Sequence, residues 1–202
     1  MSRWLVLGLA ALLLVAYTLP WLKTTDAAIT FGGYDLAEWV SLHPQVRGGN
    51  PPLLPTLLLR LPLTCVALLL ALLPARMRPS WIDVLRVMAV CLLSAAQLPP
   101  LEFFTISQGD INYQQQVALA LVSLFGGAIG LFAPLGRFRP IAAALTALIG
   151  AAACILGLME AARLVGSFRV PTTPALGGQI TGILFALLAG LIILSHTGKQ
   201  KE

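Results

Sequence analysis

Six stretches of at least 15 residues in this chain contain no charged residue, and each has an apolar centre. They cover residues 4–22, 61–75, 87–101, 111–136, 140–159 and 170–198. A helix that crosses the hydrocarbon core of a bilayer, about 30 Å thick, needs about 20 mostly apolar residues. The whole chain is 58% apolar and only 10% charged, whereas soluble domains are roughly one quarter charged. The sequence therefore predicts an integral membrane protein.

The predicted fold is all-α: a polytopic integral membrane bundle of six transmembrane helices that forms one domain over residues 1–202. The spans are expected at 4–22, 54–73, 81–98, 115–133, 140–159 and 178–195. The second and third uncharged stretches have only 15 residues each. These two spans must therefore recruit flanking residues to cross the bilayer.

The basic residues predict the orientation of the bundle. With six spans, eight of the thirteen Lys and Arg share one side with both termini. They are Arg3, Arg76, Arg78, Arg86, Arg137, Arg139, Lys199 and Lys201. The opposite side carries the other five, together with six of the eight acidic residues. Because basic loops resist translocation, we expect a multi-pass protein of the plasma (cytoplasmic) membrane with both termini in the cytoplasm.

The connections on the outer side are longer than those on the inner side. The outer connections cover 24–53, 99–114 and 160–177, whereas the inner turns cover only 74–79 and 134–139. Long connections usually have a function or an ordered structure of their own. We therefore expect a cap on the outer face and a nearly bare inner face.

A short interfacial helix is predicted within the first outer connection. Asp35 and Glu38 form a D-x-x-E pattern typical of a helix N-terminus. Leu36, Trp39 and His43 then share one helical face, which is typical of an amphipathic helix at the membrane interface. Such a helix either packs on its own bundle or offers Trp39, Glu38 and His43 to a ligand or partner.

Small residues at four-residue spacing predict sites of close helix packing. Such residues let the backbones of spanning helices approach each other. The candidate packing seam consists of Gly178, Gly182, Ala186 and Gly190 in the sixth span and Gly126 and Gly130 in the fourth. The seam serves either the protein's own bundle or a partner subunit.

Arg60 is the candidate functional residue within a span, because it lies about a turn and a half inside the outer end of the second span. A charge within a span is a functional candidate by default. At this depth Arg60 can also extend to the interface, or pair with Glu38 or Asp35. The alternative is that it binds an anionic substrate or a lipid headgroup.

The sequence lacks the residue patterns that several kinds of site require. Cys65, Cys91 and Cys154 fall in three different spans, which gives neither an outer disulfide framework nor the spacing of a metal site. The histidines, His43 and His196, lie at span ends, so we expect no histidine-ligated haem or pigment. No catalytic motif occurs, and the scattered basic residues do not form a nucleic-acid-binding patch. The sequence predicts no enzyme, no metal and no resident cofactor.

These patterns favour a non-catalytic accessory subunit that packs beside larger subunits of a membrane complex. A photosynthetic or respiratory electron-transfer complex is the host that we expect. One alternative is a small transporter or channel for an anionic or polar solute that uses Arg60. Another is a membrane protein that binds a lipid or a quinone between the second and third spans, and a neighbouring pigment is also compatible with the sequence.

Overall fold

The computed structural model describes residues 3–24, 30–73, 81–168 and 172–198, and this part of the chain is mainly helical. Its helices are α1 (Arg3–Thr18), α2 (Gly33–Ser41), α3 (Pro44–Arg47), α4 (Leu54–Leu72), α5 (Trp81–Ala95), α6 (Ile111–Phe132), α7 (Phe138–Ser167) and α8 (Leu176–Gly198). Four of these, α4, α6, α7 and α8, are long and apolar enough to cross a membrane. The fold is thus a helical bundle compatible with a membrane protein. The predicted turn with Arg76 and Arg78, and Lys199 and Lys201, lie outside the described residues.

Helix α4 lies at the centre of the bundle and packs against α1, α2, α5, α6 and α7. Helix α8 packs against α7 and α1. In contrast, α5 is peripheral and buries only Arg86, Val90 and Ser94. Helix α1 has 16 residues and α5 has 15, so these two helices are apolar but shorter than the other four.

The helix boundaries differ from the predicted spans where charged residues extend a helix beyond its apolar part. Helix α7 was expected to end at residue 159, but it continues to Ser167. Glu160 and Arg163 form an exposed ion pair of 2.8 Å on this extension, while Leu164 remains buried. The charges therefore end the apolar span without ending the helix, because exposed Glu and Arg pairs three residues apart stabilise helices.

Helices α2 and α6 also begin earlier than expected. Helix α2 begins at Gly33 with Gly32 as its N-cap, so Asp35 lies in the first turn and is not the cap. A carboxylate in the first turn is still favourable because of the helix dipole. Helix α6 begins at Ile111, where the Asp110 side chain accepts a hydrogen bond from the Asn112 backbone N–H at 2.8 Å.

A small antiparallel sheet joins the first and third outer connections, which the all-α prediction did not include. Strand β1 (Leu22–Thr24) lies between β2 (Thr30–Phe31) and β3 (Thr172–Pro174). Lys23 lies opposite Thr30 on one side and Thr173 on the other. The predicted outer cap is therefore held together by backbone hydrogen bonds between segments far apart in sequence.

The predicted packing seam divides between several contacts. In α6, a Cβ added to Gly126 would lie 2.7 Å from the Leu68 side chain of α4, and one added to Gly130 would lie 3.0 Å from Ala71. In α8, Gly182 faces Cys154 of α7. At these three positions, the glycines therefore lie where two helices approach closely.

The other three seam positions are used differently. Gly178 accommodates the indole ring of Trp21, which lies 2.9 Å from its Cβ position, and also faces Leu158 of α7 at 3.2 Å. Ala186 is exposed, and a Cβ added to Gly190 would meet no other described segment within 4 Å. Only part of the four-residue repeat in α8 is thus used within the bundle.

Two arginines satisfy the carbonyl groups at the end of α4. Arg86 is buried and donates hydrogen bonds to the backbone oxygens of Leu70, Ala71 and Leu73, at 3.1, 3.1 and 2.6 Å. Arg139 donates to the same Leu73 oxygen at 2.9 Å. The last carbonyls of a helix lack intrahelical partners, and cations are favourable at this end. These two arginines therefore have a structural role at the predicted inner end.

Candidate functional site

Arg60 is buried in α4, with 2% of its side chain exposed, and all its described partners are side chains of the protein. Its Nη2 donates to Glu38 Oε1 of α2 at 2.6 Å. Its Nη1 donates to Asn112 Oδ1 at 2.8 Å and to Gln115 Oε1 at 3.3 Å, both in α6. Of the two acids considered in the sequence, the structure pairs Arg60 with Glu38.

Glu38 is also held by α6. Its Oε1 accepts a second hydrogen bond, at 2.6 Å, from Gln116 Nε2. Tyr34, one turn earlier in α2, lies near Glu38. The pKa of Tyr34 is raised, mainly because burial disfavours the charged phenolate and secondly because of the negative charge of Glu38. We call Arg60, Glu38, Asn112, Gln115 and Gln116 the Arg60 cluster; it joins the cap helix α2 to α4 and α6.

The three adjacent glutamines of α6 have different partners in the structure. Gln115 and Gln116 bind within the Arg60 cluster, and Gln115 also donates to the Leu53 oxygen at 3.1 Å. Gln114 instead donates to the Gln108 oxygen in the second outer connection. The sequence showed three adjacent amides, but only the packing of α6 against α4 decides which of them face Arg60.

Two buried polar atoms of the Arg60 cluster lack a partner within the described residues, namely Arg60 Nε and Gln116 Oε1. One is a donor and the other an acceptor. Buried unpaired groups of this kind cost free energy. The cluster is therefore closed around the guanidinium charge but is not fully hydrogen-bonded by the protein.

Trp39 and His43 pack against the end of α7. The Trp39 ring contacts Phe31 and Phe168, with centroids 5.7 and 5.4 Å apart. His43 is buried, its Nδ1 accepts from the Gln45 backbone N–H at 3.1 Å, and its Nε2 lies 3.3 Å from Ser167 Oγ. Of the two interpretations of α2, this geometry corresponds to packing on the protein's own bundle.

A second polar group lies deeper between α4, α5 and α6. Thr64 donates to Gln97 Oε1 at 2.6 Å, and Gln97 Nε2 donates to Ser123 Oγ at 2.9 Å. Beyond Ser123 the helices are in close contact, since a Cβ added to Gly127 would lie 2.5 Å from the Val90 side chain. The polar contacts of α6 therefore end near Ser123 in the described structure.

An open crevice of about 420 Å³ lies between the C-terminal ends of α1 and α5, on the predicted outer side, and we call it the outer crevice. Its floor includes Leu63 of α4, and its rim includes the first turn of α2. The lining residues are Leu14, Tyr17, Thr18, Gly32, Gly33, Tyr34, Asp35, Leu63, Leu93 and Ala96. Through Tyr34 and Glu38, this crevice is adjacent to the Arg60 cluster.

Among the described residues, no group of three or more His, Cys, Asp or Glu side chains could hold a metal ion. Comparisons with protein families, curated proteins and solved structures found no match to this chain. The function must therefore be argued from the residues and their geometry.

Proposed function

We propose that this protein is a non-catalytic, six-span accessory subunit that binds a larger membrane subunit through its outer face. The proposal counts α1 and α5 as spans together with α4, α6, α7 and α8. Helices of 16 and 15 residues rise only about 24 and 22 Å, so the residues next to α1 and α5 complete the crossing. We propose the same host complex that the sequence predicts, a photosynthetic or respiratory electron-transfer complex.

The second outer connection carries this proposal, because it exposes large apolar side chains. Leu101 is 84% exposed and Ile106 is 85% exposed, and Phe104 beside them is also exposed. Leu101 and Phe104 are the first and last residues of a short 3₁₀ helix, Leu101–Phe104, and Ile106 follows it. Clustered apolar side chains at an aqueous surface are typical of a protein contact, and aromatic residues are enriched in such contacts. A larger subunit would cover them.

The Arg60 cluster supports a structural role more than transport. Its guanidinium is compensated by Glu38 and enclosed by Asn112 and Gln115, so the charge is already neutralised without a solute. A transporter needs polar groups along its path, whereas the α4–α6 contact beyond Ser123 is formed by small apolar residues such as Gly130 and Ala71. This geometry favours the accessory subunit over a channel that runs along α6.

The topology predicts which single cysteines react from outside the cell. In a background without Cys65, Cys91 and Cys154, we expect a membrane-impermeant maleimide to label Gln108→Cys in intact cells and to leave Phe138→Cys unlabelled. Both positions are exposed in the structure, so both should react after lysis. Labelling of Phe138→Cys in intact cells would contradict the proposed orientation.

The partner proposal is tested by purification of the chain from its native membrane in a mild detergent. We expect a larger membrane subunit in stoichiometric amount, and we expect its recovery to fall at least tenfold for Leu101→Ser combined with Ile106→Ser. Because both side chains are exposed, the thermal stability of the isolated chain should change little. Gln108→Ala, in the same connection, is the matched control. Equal recovery with the double variant, or a stable chain without any partner, would refute the proposal.

A further inference from the structure

The outer crevice has an apolar floor within the outer part of the bundle. Leu14, Leu63 and Leu93 line it from α1, α4 and α5. Ala96, just after the end of α5, is exposed at its edge. Its volume of about 420 Å³ lies within the usual range for small-molecule sites, about 300–1,000 Å³. A molecule of the bilayer can reach this floor between the ends of α1 and α5.

The rim of the outer crevice carries hydrogen-bond acceptors. Asp35 is exposed and is the only charged residue among the described lining residues, and it has no ion-pair partner in the described part of the chain. The Thr18 hydroxyl donates to the Val15 oxygen at 2.8 Å, which leaves its own oxygen able to accept. A Cβ placed on Gly32 would lie 3.3 Å from the Thr18 carbonyl oxygen and 3.5 Å from Asp35 Oδ2. These acceptors therefore converge beside Gly32.

We propose that the outer crevice binds one aminophospholipid of the outer leaflet, with its ammonium group at Asp35 and Thr18 and its acyl chain along Leu63 and Leu93. A primary ammonium carries three donors and no acceptor, which complements a carboxylate and neighbouring oxygens. An anionic headgroup would meet the charge of Asp35. A quinone carbonyl would need a donor, whereas the Thr18 carbonyl and the Asp35 carboxylate beside Gly32 are acceptors.

The experiment uses the purified full chain, incorporated into nanodiscs that contain equal amounts of phosphatidylethanolamine, phosphatidylcholine and phosphatidylglycerol. Native mass spectrometry then counts the lipids that remain bound. We expect one retained phosphatidylethanolamine, and roughly tenfold weaker retention in Asp35→Asn, because a charge-assisted hydrogen bond is lost. Glu102→Gln, an exposed outer acid away from the crevice, is the charge-matched control and should retain the lipid.

A second pair of variants tests whether the outer crevice is occupied, independently of charge. Ala96→Phe should fill the crevice and abolish retention of the lipid. Ala95→Phe, at an exposed neighbouring position that does not line the crevice, should retain it. Equal retention of phosphatidylethanolamine and phosphatidylcholine, preference for phosphatidylglycerol, or full retention by Asp35→Asn or Ala96→Phe would each overturn the proposal. The isolated chain suffices here, so this result is separate from the recovery of a partner subunit.

Discussion

Replacement of Glu38 by glutamine is expected to lower the free energy of unfolding by about 3 kcal/mol, because it leaves the guanidinium of Arg60 without its counter-charge. Arg60 is only 2% exposed, so water cannot compensate for the loss. Glutamine keeps the size of the side chain and an acceptor oxygen, and so the change isolates the charge. The measurement is a denaturant titration of the purified protein in detergent.

Replacement of the other partner, Arg60→Met, should lower the free energy of unfolding by less, roughly 1–2 kcal/mol. Glu38 is 39% exposed, so water can solvate its carboxylate once the arginine is absent. The double variant Glu38→Gln with Arg60→Met should be more stable than the sum of the two single changes predicts, because the two residues interact directly.

Glu160→Gln is the matched control for this series. Its ion pair with Arg163 has a similar length, 2.8 Å, but the Arg163 side chain is 74% exposed. Exposed pairs contribute about 0–1 kcal/mol, so the control should change stability little. If Glu38→Gln proved as mild as Glu160→Gln, the Arg60 cluster would not fasten the cap, and binding of an anionic headgroup by Arg60 would become the better interpretation.

Gly177→Ala is expected to destabilise the protein by about 1–3 kcal/mol, as overpacking of a close contact usually does. A Cβ at Gly177 would lie 2.6 Å from the Leu19 carbonyl oxygen and 2.7 Å from that of Pro20. These are backbone atoms, and the Pro20 oxygen also accepts the Gly177 N–H at 2.9 Å. The start of α8 would therefore have to move away from the end of α1.

Gly190→Ala in the same helix provides the comparison for Gly177→Ala. A Cβ at Gly190 would meet no other described segment within 4 Å, and alanine favours the helical conformation by up to about 1 kcal/mol relative to glycine. We expect its denaturation midpoint to be unchanged or higher. Equal midpoints for the two variants would show that the contact between α8 and the end of α1 is looser than the structure indicates.

The helices of this protein are largely predictable from the sequence, because apolar runs between charged residues are a local signal. Helix α4, expected at 54–73, extends over Leu54–Leu72. The ends are less predictable: Glu160 suggested the end of a helix, but α7 continues because its exposed side tolerates charge while Leu164 stays buried. A charged residue marks where an apolar span ends and says less about where a helix ends.

The candidate site was predictable only in part. Arg60 was identifiable from its position in an apolar run, and Glu38 was one of two acids in reach. Asn112 carried no local signal, and its role depends on how α6 packs against α4. The sheet was not predicted either, because its strands have only two or three residues each. Strand β3 also lies in a different outer connection from β1, so their pairing cannot be read from either segment alone.

The unequal lengths of the helices have a consequence for the surrounding lipid. Helix α5 has 15 residues and lies at the edge of the bundle, whereas α7 has 30; at 1.5 Å per residue their axes differ by roughly 20 Å. In the proposed six-span topology, the bilayer meets the apolar part of α7 before Glu160 and the shorter α5. The lipid beside α5 would then have to be thinner, or flanking residues would have to complete the crossing, and such an adjustment costs energy that grows with the mismatch. In that topology, thick, sterol-rich membranes would strain the α5 flank of the molecule selectively.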